Sequence, residues 1–113
     1  MNETTVPQWH AKRTAESRQV EEVLREGGFQ QVDAYRYNSA SIRVRVIDPR
    51  FAGKSVDERD ALVDVYLRKL PEHTQAEILN LMLFTPDELT VQNGRSRAQL
   101  ANLEFEEPSP SEL

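Results

Sequence analysis

Between Thr14 and Phe84 the spacing of apolar residues changes from helical to alternating and back, and each change predicts a new element. Val20, Val23 and Leu24 fall on one stripe of a helix that opens near Thr14, and Gly27–Gly28 supplies its stop. "FQQVDAYRY" then reads as a strand and Asn38, Ser39 and Ala40 as a short turn. In "SIRVRVI" the residues Ile42, Val44 and Val46 alternate with Arg43, Arg45 and Ile47, the pattern of a half-buried strand. These strands, Gln31–Tyr37 and Ser41–Ile47, are expected to pair as an antiparallel hairpin. Asp48–Pro49 breaks the second one. Ser55 and Glu58 form an S-x-x-E capping box, with Asp57 adding negative charge where the helix dipole favours it. The helix so started, over Val56–Leu70, carries Leu62, Val63, Tyr66, Leu67 and Leu70 on one face and meets Pro71.

"EHTQA" is a short connection with room for one helical turn, and "ILNLMLF" (Ile78–Phe84) is predicted to be a third strand, buried on at least one face. Thr85, Pro86 and Glu88 repeat the capping logic and predict a short helix. After Gly94, Ser96–Leu103 reads as helical, and "EEPSPSEL" as a disordered acidic tail. The order is helix, strand, strand, helix, strand and C-terminal helix, without internal repeats, so the expected class is α/β (α+β).

A chain of 113 residues makes one small domain with a modest core. The expected division is a flexible arm over 1–13, with Trp9 folded back, a domain over 14–92 and an acidic, partly disordered extension over 93–113. Charged residues at 29% and a mean hydropathy of −0.65 suit a soluble protein. No apolar run is long enough to cross a bilayer, and Met1–Lys12 lacks the apolar core of a signal peptide. Without cysteine there is no disulfide, thiolate nucleophile or all-thiolate metal site, which fits the cytoplasmic location expected here.

Net charge is −5, which opposes avid non-specific binding of nucleic acid by the whole chain. The charge is uneven, however. From Arg36 to Arg59 six basic residues face three acidic ones, whereas from Thr85 to Leu113 two basic residues face six acidic ones. The basic stretch is a candidate contact for an anionic partner, and the competing reading makes Arg43 and Arg45 the solvated face of a strand.

"FAGKS" ends in the letters of a nucleotide-binding loop, but that loop needs G-x-x-x-x-G-K-[ST], and Asp48 stands five residues before Gly53. Asp48 repels phosphate and Pro49 lacks a backbone donor, so the nucleotide reading fails. Catalysis by serine or threonine would need an adjacent base, and neither His10 nor His73 has the spacing. The neighbouring pairs Asp57–Glu58 and Glu106–Glu107 are explained by helix capping and tail charge. No catalytic site, and no enzyme, is read from the chain. His73 and Glu77 are four apart, a partial metal pair only if both lie on one helix, and the third-strand placement of Glu77 separates them.

Phe51, Gly53, Lys54, Ser55, Arg59, Val63 and Leu67, followed by "EILNL" and "TPDE", stand at the spacings of the BolA-like family, and the chain resembles that family over roughly Val20 to Leu89. The resemblance implies a KH-like fold, a three-stranded mixed sheet with helices on one face. It also implies a protein partner, a monothiol glutaredoxin, met through Arg50, Phe51, Gly53, Lys54, Arg59 and Glu77. Family members share an iron–sulfur cluster with that partner through a third-strand histidine and a histidine or cysteine of the first hairpin loop. Glu77 and Asn38, Ser39 and Ala40 occupy those places here, and Asp60 replaces the histidine of the family's R-H pair. A carboxylate is a poor substitute for imidazole or thiolate on iron–sulfur iron, so no metal or cofactor is expected. Two functional classes follow: a non-enzymatic adaptor or regulator, and a nucleic-acid-binding module of the transcription-regulator kind using Arg43, Arg45, Arg50 and Lys54. KH domains clamp the backbone with G-x-x-G, and this chain has no such loop.

Overall fold

The computed structural model describes residues 8–90 and 96–111. Helix α1 (Ala15–Glu26) starts at Thr14, whose hydroxyl accepts from the Ser17 N–H at 3.2 Å while Ser17 Oγ accepts from the Thr14 N–H at 2.9 Å. The expected hairpin is present: β1 (Gln31–Asn38) pairs antiparallel with β2 (Ser41–Ile47), Val32 opposite Val46 and Tyr35 opposite Arg43. Helix α2 (Val56–Leu67) opens on the capping box, with the Glu58 N–H to Ser55 Oγ at 3.1 Å and the Ser55 N–H to Glu58 Oε1 at 2.8 Å. It stops short of Leu70, which is buried in the turn that follows. The chain then makes a six-residue helix, α3 (Glu72–Glu77), where a short connection with room for one helical turn was expected. Strand β3 (Ile78–Phe84) lies parallel to β2, giving a mixed sheet in the order β1-β2-β3.

Alternation gives the sheet two apolar faces. Val32, Ala34, Ile42, Val44, Val46 and Leu83 pack against Val20 and Leu24 of α1 and Val63 and Leu67 of α2, with Phe29 and Phe51 closing one end. The other face was expected to be free of helices. Instead it carries Tyr35, Met82 and Phe84 under Trp9 and Phe105. Phe105 belongs to α4 (Arg97–Glu106), capped by Ser96 and Gln99. Trp9 comes from a 3-10 turn over Gln8–Lys12, inside the segment expected to be a loose arm; residues 1–7 of that arm lie outside the described residues.

Thr85 and Glu88 exchange the predicted capping bonds, but they hold only a single 3-10 turn, Asp87–Leu89. Gly94, taken as the break before the last helix, also lies outside the described residues. Past α4 the acidic extension is placed as far as Ser111: the Tyr37 hydroxyl donates to the Ser109 carbonyl at 2.6 Å, and Asn38 Nδ2 donates to Ser111 Oγ at 3.0 Å. No described helix is long and apolar enough to cross a membrane.

Candidate functional site

The loop between β2 and α2 is built outward from Asp48, which is buried. Its carboxylate accepts from the Gln30 N–H at 2.7 Å, the Arg50 N–H at 2.8 Å and Arg50 Nε at 3.1 Å. Burial raises the Asp48 carboxyl, but these hydrogen bonds outweigh it and hold the group below its usual range. The Pro49–Phe51 turn then drives Phe51 fully into the core beside Phe29. Arg50 lies over Phe29, 3.9 Å from the ring centroid, so its guanidinium is braced on two sides. Gly53 has φ +73, the left-handed conformation that glycine adopts without strain, and Lys54 is exposed on the way into α2.

Arg59 ties this loop to the sheet. It donates to the Lys54 carbonyl at 3.1 Å and the Leu83 carbonyl at 3.0 Å, and forks onto both Glu88 oxygens at 2.8 Å. The Arg59 hydrogen bonds hold the Glu88 carboxyl below its ordinary range, and Glu88 in turn raises Arg59. Of the predicted contact residues, the structure therefore joins Arg50, Gly53, Lys54 and Arg59 in one braced surface. Phe51 stands beneath them as its anchor and has no exposed surface of its own.

Glu77 is elsewhere. It closes α3 instead of standing in the strand, at the start of β3, whereas the loop packs near the strand's end, roughly 20 Å away at about 3.3 Å per residue. His73 and Glu77 thus share one helix after all, which corrects their expected separation. Arg36 takes up the Glu77 carboxylate at 2.7 Å and reaches the Asn38 and Ser39 carbonyls at 3.4 Å each. Glu77 and the Asn38–Ser39 turn do converge, but a guanidinium joins them. The donor set, one carboxylate with Asn38, Ser39 and Ala40, does not fit an iron–sulfur cluster. Among the described residues no group of three His, Asp or Glu side chains is placed to hold a metal ion. Arg36 was visible in the sequence only as one charge in a basic run; its role depends on a partner 41 residues away.

Arg43 and Arg45 are not a solvated face. They are 8% and 4% exposed, roofed by α4. Arg43 lies 3.8 Å from the Tyr37 ring centroid and donates to the Glu104 carbonyl and carboxylate at 3.1 and 3.2 Å. Arg45 binds Asp33 at 2.6 Å, Asn102 at 2.9 Å and the Glu106 carboxylate, and lies over Phe105. Half of the alternative phosphate-contact set is thus committed inside the protein.

A search of solved structures finds BolA1 from Mus musculus, a solution structure, at 17% identity with a TM-score of 0.53, covering 79% of this chain and 76% of that one. The fold is BolA-like. No protein-family model and no curated protein sequence matches the chain.

Proposed function

We propose that the protein is a non-enzymatic adaptor or regulator of the BolA-like kind, working by contact with another protein, a monothiol glutaredoxin, in the cytoplasm. The observation that carries this reading is the braced β2–α2 loop on a BolA-like sheet. Asp48, Phe51 and Arg59 fix its backbone before any partner arrives, which lowers the ordering cost of binding. Association involves no shared iron–sulfur cluster, because Glu77 is a hard ligand already paired with Arg36. Glu77, at the far end of the sheet, lies outside this contact.

Binding to nucleic acid is the weaker alternative. Arg43 and Arg45 are buried and the exposed Arg50 is paired with Asp48, which leaves Lys54 as the exposed cation of that set without an ion pair among the described residues. The test is titration of the purified protein with a monothiol glutaredoxin and, separately, with duplex DNA, at low and high salt. The reading expects glutaredoxin binding that changes little with salt and is weakened by Lys54→Glu. Binding to DNA alone, falling steeply as salt rises, would replace it with the alternative.

A further inference from the structure

The two edges of the sheet are finished differently. Along β1, side chains of α1 occupy the outward main-chain groups: Glu21, buried, accepts from the Ala34 N–H at 2.9 Å, and Arg25 donates to the Val32 carbonyl at 3.4 Å. Blunting of that kind prevents another strand from adding there. Along β3 the outward Leu83 carbonyl is taken by Arg59, but no described strand pairs with this edge. By the two-residue period, the main-chain groups of Leu81 face the same open side. The edge also forms the floor of a groove of about 1150 Å³ between the first turn of α2 and α4. A smaller hollow of about 420 Å³ continues it toward the start of the strand.

The walls of this trough differ in character. On the α4 side Met82, Ala98 and Ala101 form an apolar strip, bordered by Arg97 and Glu104. On the α2 side Asp57, Asp60 and Asp64 form a row. Among the described residues neither Asp57 nor Asp60 has an ion-pair partner, and Asp64 has only the exposed Arg68 one turn away. Burial, together with Asp57 and Asp64, pushes the Asp60 carboxyl up, as expected of a row of like charges lacking a counter-ion. A second copy is a poor occupant, because pairing β3 with itself about a two-fold axis would set two such rows on the same face.

We propose that the open edge of β3 accepts an extended segment of a partner protein as a fourth strand. That segment carries Lys or Arg at alternate positions, toward Asp57, Asp60 and Asp64, with apolar residues between them toward Met82 and Ala101. Main-chain hydrogen bonds hold the strand and the acidic row selects its charge. This surface borders the loop proposed for glutaredoxin and shares Lys54 and Arg59 with it. The acidic row and the Leu81 edge lie outside that loop, so Lys54→Glu and the triple aspartate variant tell the two apart.

The probe is a capped octapeptide of alternating Lys and Val, titrated into the ¹⁵N-labelled protein and followed by NMR. Shifts centred on residues 79–83 and slowed exchange of the Leu81 amide are expected. The Glu–Val counterpart should bind at least tenfold more weakly, since each exposed charge pair is worth roughly 1.4- to 5-fold. A Lys–Val peptide N-methylated along its pairing edge should not bind. The triple variant D57N/D60N/D64N should weaken the Lys–Val peptide by about tenfold. If that variant does not fold, the same loss should appear when the wild-type titration is repeated at high salt. Shifts elsewhere, equal binding of both peptides or undiminished binding of the N-methylated peptide would overturn the proposal. So would sedimentation equilibrium showing a dimer that competes with the probe.

Discussion

Ser55 and Arg45 show how differently two polar residues weigh on stability. Ser55 is exposed and closes its capping bonds within three residues, so Ser55→Ala should cost about 1 kcal/mol in urea melts and leave α2 formed. Neither form should bind ATP. Arg45 is 4% exposed and neutralises Asp33 and Glu106 inside the second core. Removing it takes away the Glu106 ion pair and leaves Asp33 with the longer Arg13 contact at 3.6 Å. Arg45→Ala should therefore cost about 3 kcal/mol, the low end for a broken buried pair because Glu106 is partly exposed. Arg50→Ala, whose side chain is nearly half exposed, should cost far less in the same melts.

Among the elements, the Arg59–Glu88 fork and α4 make the predictions that matter. Arg59 lowers the Glu88 carboxyl, so the folded protein holds that proton more weakly than the unfolded chain does. The resulting stabilisation is complete above the unfolded glutamate range, about pH 4.3, and is lost as pH falls through the lower folded value. Glu88→Gln should accordingly be less stable than wild type at neutral pH, with the gap closing below about pH 4 in urea melts. Helix α4 is held to the sheet by Phe105, fully buried between Trp9 and Tyr35, while its Leu100 and Leu103 face outward. Phe105→Ala should cost about 3–4 kcal/mol and shift the emission of Trp9, the single tryptophan, to the red as α4 loosens.

For the whole molecule the decisive prediction concerns iron. A reconstituted mixture with a monothiol glutaredoxin should show no cluster absorption or visible circular dichroism that depends on Glu77, so Glu77→Ala should leave the spectra unchanged. Glu77→His supplies imidazole at the same place and should create such a spectrum. A wild-type cluster signal that Glu77→Ala abolishes would refute the reading.

Short-range physics determined much of this protein from sequence alone. The caps at Ser55/Glu58 and Thr85/Glu88 close within three residues, and the alternation at Ser41–Ile47 spans a single strand, so each was legible where it stood. The spacing of "FAGKS" and "TPDE" also carried the fold, because the elements between them have fixed lengths. The extent of helix α3 escaped, since six residues hold too few turns to set a period, and with it the placement of Glu77. Only the tertiary structure decided the second face of the sheet. A strand that alternates apolar with arginine looks the same whether the arginines meet water or a roof, and the roof here is Glu104 and Glu106, 61 residues away from the side chains they neutralise. Outward leucines in α4 hid that helix's true contact face as well. Charge pairing over such separations leaves no local pattern, so folding alone turned two arginines that read as a binding face into part of the core.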